Sequence, residues 1–243
     1  MTQEYLKFKK GDVIAQQKPS GSWSVTKIIE IDRYPNGIPA TAHCLCYREV
    51  DRKPDANSIS SLQNYFSGPI QASSFNDGYE LVVNADISAA EFEVFTYHLK
   101  LTDFERYLQV TEQDIEEVVE RANEHYKAAY YLNEQGKKDE AISEYSMTID
   151  LFPYFFEALD NRAFIYMELG DYGRALSDFE ESLRIEPDGF TAFFSKGECS
   201  IQLGDFAAAE SICTQGLTQF PDRAEYFAQM LQIARSTGEK PSS

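Results

Sequence analysis

Apolar and polar positions change rhythm near residue 110. Before it, apolar residues come in short runs bounded by Gly, Pro, Asn and Asp, the pattern of strands and turns. DVIAQQ (Asp12 to Gln17) reads as a first strand and KPSGS as a turn. In SWSVTKIIEID, Trp23, Val25 and, after a shift, Ile28, Ile29 and Ile31 predict a twisted strand with a bulge. RYPNGIP (Arg33 to Pro39) is a second turn with Asn36-Gly37 at its tip, and ATAHCLCYREV is the next strand, so an antiparallel meander is expected. From Asp51 the signals weaken. SISSLQNYF reads as a short helix, GPIQASSF as extended or looped, Asn76 to Gly78 as a turn, and YELVVN (Tyr79 to Asn84) as a further strand. EFEVFTYHL fits alternation, but Ser88 and Glu91 make a capping box and Ala89, Phe92, Phe95 and Leu99 share one helical face, which favours a helix. A short second helix over Asp103 to Leu108 is expected.

After residue 110 the apolar skeleton repeats. Gly136, Gly170 and Gly204 recur every 34 residues, as do Ala141, Ala175 and Ala209, and Pro153, Pro187 and Pro221. The same shift superimposes Ala129 on Ala163 and Gly197, and Tyr145 on Phe179 and Cys213. Each unit has an apolar run at helical spacing, a Gly, a second run and a Pro, which reads as helix, tight turn, helix, stop. Gly suits the turn because it has no Cβ to clash in a left-handed conformation, and Pro is placed to open the next helix. The small residues fall where two helices cross closest, with Tyr145 and Phe179 beside them. One helix pair cannot bury its own apolar face, so the units must stack. TEQD supplies a cap where the array begins at Thr111, with a long first helix from Glu112 to about Asn133. A terminal capping helix is expected over about Asp222 to Arg235, with Tyr226, Phe227, Met230, Leu231 and Ile233 covering the last unit.

With its small, aromatic, Gly, Ala and Pro positions in register, NRAFIYMELGDYGRALSDFEESLRIEP (Asn161 to Pro187) resembles the tetratricopeptide repeat (TPR), and the resemblance extends over about residues 112–237. His125, Leu159 and Phe193 stand where the family often has Trp, and Cys213 replaces an aromatic. The family implies a right-handed superhelix whose concave face binds peptides or protein segments. In that geometry the inward positions are Asn123, Tyr126, Tyr130 and Asn133, then Glu157, Asp160, Asn161, Phe164 and Met167, then Thr191, Phe194, Glu198 and Gln202. Aromatic and acidic groups alternate there, which suits a segment with apolar anchors and Lys or Arg. The same aromatics also fit an internal role, with Tyr126, Tyr130 and Phe194 packed against the first domain or the chain's own last helix. Chaperone-binding relatives grip a terminal carboxylate with Lys, Asn and Arg. Only Asn161 of that set is present, and Tyr126, Tyr130, Thr191 and Ser195 replace the others, so a heat-shock co-chaperone role is disfavoured.

The acidic balance sharpens the picture. Forty acidic residues against 22 basic ones give a net charge of -18, which makes nucleic acid and anionic membranes poor partners and a basic protein a good one. The first residues contain no signal-peptide-like apolar run and no stretch reaches membrane-span length, so a cytoplasmic protein is the expectation. Cys44, Cys46, Cys199 and Cys213 lack the spacing of a zinc ribbon and are expected as packed thiols; a site from Cys44, Cys46 and His98 is disfavoured for want of a fourth ligand. His43, His98 and His125 fall in no catalytic motif, the glycines form no phosphate loop, and neither an enzyme nor a cofactor is expected.

The sequence therefore predicts an α+β two-domain chain. Residues 1–110 form a small antiparallel β-rich domain closed by one or two helices, whose opening FKKGDVIA loosely resembles that of SH3-like barrels. Residues 111–243 form three TPR units and a capping helix. The expected function is that of an adaptor or scaffold binding a peptide or protein segment on the inner face; an immunity-type protein or inhibitor neutralising a basic or toxic partner is the rival, and an enzyme with its site around Trp23, Cys44 and His98 a third.

Overall fold

In the computed structural model, which describes residues 6–75 and 78–238, the alternating runs become one antiparallel sheet. Its strands are β1 (Asp12–Gln17), β2 (Trp23–Arg33), β3 (Pro39–Tyr47), β4 (Asn64–Gln71) and β5 (Tyr79–Asn84), in the order β4-β3-β2-β1-β5. The register of β2 against β3 shifts between Ile28 and Glu30, the expected bulge. Ile28 packs with Phe8, Ile14, Ala42, Cys44 and Phe75 on one face. Ile29 and Leu45 belong to the other, which Phe95 and Leu99 of α1 (Ala89–Thr102) cover.

Helix α1 starts where the capping box placed it. The Ser88 N–H donates to Glu91 Oε2 at 2.8 Å, and the Glu91 N–H donates to Ser88 Oγ at 3.3 Å. Lys27, on β2 and only 3% exposed, donates to the same Glu91 carboxylate at 2.8 Å and so ties the helix to the sheet. A second helix, α2 (Phe104–Thr111), follows.

Two local expectations are corrected, and one lies partly outside the described residues. SISSLQNYF is not a helix: one 3-10 turn spans Ile59–Ser61, Asn64 already belongs to β4, and ASSF is a 3-10 turn over Ala72–Phe75. β4 is an edge strand paired only with β3, so its exposed residues need not alternate and Pro69 is tolerated. Of the turn expected at Asn76 to Gly78, Asn76 and Asp77 lie outside the described residues, while Gly78 has φ +74. The long repeat helix is capped by Asp114 and not by Thr111. Thr111 ends α2, Glu112 takes a left-handed conformation, and Asp114 accepts from the Glu116 and Glu117 N–H groups at 2.8 and 3.2 Å.

The chain divides into two compact units, Met1–Gln113 and Asp114–Ser243. The second is a stack of antiparallel helices: α3 (Ile115–Glu134), α4 (Lys138–Leu151), α5 (Phe156–Glu168), α6 (Tyr172–Ile185), α7 (Phe190–Gln202), α8 (Phe206–Gln219) and α9 (Ala224–Gly238). Gly136, Gly170 and Gly204 sit in the turns with φ +74, +78 and +77, and a Cβ there would meet nothing. The left-handed backbone alone requires glycine. Ala129, Ala163, Ala141, Ala175 and Ala209 are fully buried at the helix crossings, beside Tyr145, Phe179 and Cys213.

The repeated prolines act before the next helix begins. Phe152, Glu186 and Phe220, each preceding a Pro, have φ between −122 and −132 and ψ between 66 and 92, so the helix stops there. A residue before proline is sterically excluded from helical backbone. Pro153 and Pro187 lie in the turns linking α4 to α5 and α6 to α7, and Pro221 opens a single 3-10 turn.

Candidate functional site

The inner-face positions of the first two units come together across α3 and α5. The Tyr126 ring stacks on Phe155 with centroids 4.8 Å apart, meets Tyr145 edge-on at 5.7 Å, and its hydroxyl accepts a hydrogen bond from Asn161 Nδ2 at 2.9 Å. Burial raises the Tyr126 hydroxyl above its ordinary pKa; the Asn161 bond opposes this, and Glu157, Tyr130 and Asp160 reinforce it. These five side chains form one electrostatic neighbourhood. Tyr130 projects from it, 57% exposed.

Aromatic groups on this face differ in freedom. Phe164 meets Phe179 at 5.3 Å and, with Met167, belongs to the core between α5 and α6. Asn133 lies in the last turn of α3, where its carbonyl accepts from the Gly136 N–H at 2.8 Å. Phe194 packs on Phe190, Tyr226 and Phe227 at 5.9 to 6.1 Å, the internal role against the last helix.

Two carboxylates on this face are incompletely satisfied. Asp160 buries Oδ1 without a hydrogen-bond partner, and burial, with Glu157 and Asp178 nearby, raises its pKa against the pull of Ser182. Glu198 is half-buried, is raised by burial, and lines a cleft of about 200 Å³ with Phe194, Tyr226 and Met230. Asp178, by contrast, is fully engaged. Arg162 donates Nε and Nη2 to it at 2.8 Å each and Nη1 to Ser146 at 2.7 Å.

The sequence reading missed Tyr226, Gln229 and Ile233 as lining residues of the Glu198 cleft. The signal was present: Pro153 precedes Phe156, Pro187 precedes Phe190 and Pro221 precedes Ala224 by one spacing, so α9 occupies the place of the first helix of a fourth unit. Cys44, Cys46 and His98 are not brought together. Cys44 and Cys46 pack on the Ile28 face, while His98 belongs to α1 on the Leu45 face. Among the described residues no cluster of His, Cys, Asp or Glu forms a metal site, and no helix is long and apolar enough to cross a membrane.

No curated protein matches the sequence. Among solved structures, the second TPR domain of the human RPAP3 protein, in complex with an HSP70 peptide, is 20% identical with a TM-score of 0.44 and covers 47% of this chain and 95% of its own. The Arabidopsis OM64 TPR domain is 17% identical with a TM-score of 0.45, over 49% of this chain and 98% of its own. The Yersinia enterocolitica type III secretion chaperone SycD, in complex with a peptide of the translocator YopD, is 19% identical with a TM-score of 0.44, over 48% and 94%. Tetratricopeptide repeat profiles match residues 125–153 and 166–233, both within the stretch from α3 to α9 that carries the 34-residue period. Residues 125–153 and 166–233 of this chain are tetratricopeptide repeats.

Proposed function

We propose that this protein is a non-catalytic interaction adaptor whose repeat array takes up a peptide or protein segment on its inner face, and that the segment carries apolar anchors and basic side chains. One observation supports this most directly: the Tyr130 ring, 57% exposed, stands in the same neighbourhood as the Glu157 and Asp160 carboxylates. An open aromatic ring beside carboxylates offers partners to an apolar anchor and to a cation. The net charge of -18 steers such a partner toward the chain. Strong acidity also suits an inhibitor of a basic protein; that rival predicts capture of one folded protein in fixed stoichiometry.

Affinity capture from the native host with the full chain as bait, at low and then raised salt, tests the reading. A basic segment is expected to be lost as screening increases. Tyr130→Ala should weaken capture by about 1–3 kcal/mol with an unchanged thermal midpoint, because hot spots concentrate in aromatic anchors. It is a cleaner substitution than Phe164→Ala, which would also remove the contact with Phe179. Glu157→Lys should mainly slow association. Capture unaffected by Tyr130→Ala and Glu157→Lys would move the recognition surface elsewhere.

A further inference from the structure

The cleft between α7 and α9 holds a charge that the fold leaves unused. Glu198 has no hydrogen bond or ion pair among the described residues, although its carboxylate is half-buried. Its neighbours are two aromatic rings, Phe194 and Tyr226, with centroids 6.1 Å apart, the apolar Ile201, Met230 and Ile233, and the amides of Gln202 and Gln229.

The chain shows elsewhere what such a combination holds. Arg162 lies between the Asp178 carboxylate and the Tyr166 ring, 6.0 Å from the ring centroid. Arg174 pairs with Asp171 and lies 4.5 Å from the same ring. In both places a carboxylate and an aromatic face together position a guanidinium. At Glu198 the carboxylate and the rings are present, and no Lys or Arg of the described chain lines the cleft.

We infer that this cleft is a subsite for one arginine side chain of the bound segment, which makes α9 part of the recognition surface as well as the end of the array. The inference rests on the inner face being the recognition surface. The size fits: about 200 Å³ is the space of roughly seven waters at ~30 Å³ each, too small for a helix and suited to one long side chain. The chemistry fits arginine in particular, because a planar guanidinium stacks on a ring while its N–H groups reach a carboxylate and amide oxygens. The exposure of α9 agrees. Tyr226 and Ile233, both at the cleft, are 48% and 52% exposed, more than a helix with only a covering role needs.

The test is a 1H–15N NMR titration of the full chain at low salt with N-acetyl-arginine amide, beside N-acetyl-citrulline amide, which has nearly the same shape and no charge. The arginine probe should shift signals around Glu198, Tyr226 and Ile233 saturably and bind about tenfold tighter than the citrulline probe. Glu198→Gln, which preserves side-chain volume, should abolish that difference. Tyr226→Leu keeps the carboxylate and removes one ring; it should weaken the arginine probe several-fold, and it decides the matter if Glu198→Gln fails to fold. Equal affinity for both probes, no saturable shifts at the cleft, or a difference that survives Glu198→Gln would overturn the subsite. Failure of the wider reading looks different: partner capture would then ignore Tyr130→Ala while the arginine probe still titrates the cleft.

Discussion

The two units differ in how completely they close their buried and part-buried carboxylates. In the sheet unit Glu91, Asp32 and Asp12 are each closed with the help of a group brought from afar in sequence. Glu91 receives Lys27 and Ser88, Asp32 faces His43 at 2.7 Å and Arg106 at 2.8 Å, and Asp12 accepts from Asn84 Nδ2 at 2.7 Å and from the Lys9 N–H at 2.9 Å. In the helical unit Asp178 and Glu144 are closed in the same manner, by Arg162 and His125. At the positions expected on the inner face, however, Asp160 keeps an unbonded buried oxygen and Glu198 has no partner among the described residues. Unsatisfied polar groups break a local rule, and such breaks are commonest at functional sites, which agrees with the recognition surface proposed above.

The largest expected effect comes from removing α9. A chain ending after Pro221 exposes Phe190, Phe193, Phe194 and Phe220, which now surround the fully buried Phe227. Gly216 lies so close to that ring that a Cβ there would run into it, so α8 and α9 are fitted to one another. Aggregation of the truncated chain, read by light scattering, is the expected outcome. A monomeric product of unchanged stability would show that the residues of α9 have a purpose other than covering the array.

Next in size is the pair that ties the sheet to its helix. Lys27→Met removes a buried cation and leaves Glu91 without its main donor, at a cost of about 3 kcal/mol. Trp23, the chain's single tryptophan, lies on the same strand, β2, so its fluorescence in a urea titration reports the unfolding of the sheet unit. A shift below about 1 kcal/mol would mean that the sheet unit does not depend on its internal pairs, and the contrast with the helical unit would weaken.

How much of each unit was legible follows from the range of its interactions. The helical unit repeats one local solution, so Gly170 announces a turn and Ala163 and Phe179 a crossing without any long-range information. The Ser88 and Glu91 capping box was readable for the same reason. β4 was not, because Asn64 to Gln71 becomes a strand only by pairing with β3, and nothing in its own pattern of exposed Tyr65 and Phe66 around Gly68 and Pro69 alternates. Nor was the pairing of β5 with β1, which closes a span of more than sixty residues. At the candidate site the period placed Tyr126, Asp160 and Asn161 on one face. It left open whether Phe194 faces a partner or the chain's last helix, a choice that depends on how α9 stacks, and Phe194 packs on Tyr226 and Phe227.

The smallest expected effect concerns the two open carboxylates and has the most diagnostic sign. Burial raises the pKa of Asp160 and of Glu198 in the folded chain, so their protonated forms favour folding. Their contribution is fully present below the ordinary carboxylate pKa and is lost as pH rises through the raised folded values. Glu91 has the opposite sign: against burial, hydrogen bonds from Lys27 and Ser88 hold it low, so its contribution is present above the ordinary carboxylate pKa and is lost as pH falls through the lowered one. Asp160→Asn and Glu198→Gln should therefore each stabilise the protein at pH 7, by up to about 1 kcal/mol, and the gain should vanish near pH 4. Thermal unfolding followed by circular dichroism at the two pH values measures this. A stability gain joined to a loss of partner would show that these carboxylates are kept for binding at the expense of the fold, whereas destabilisation at pH 7 would mean that they have internal partners and that the inner face is closed like the sheet.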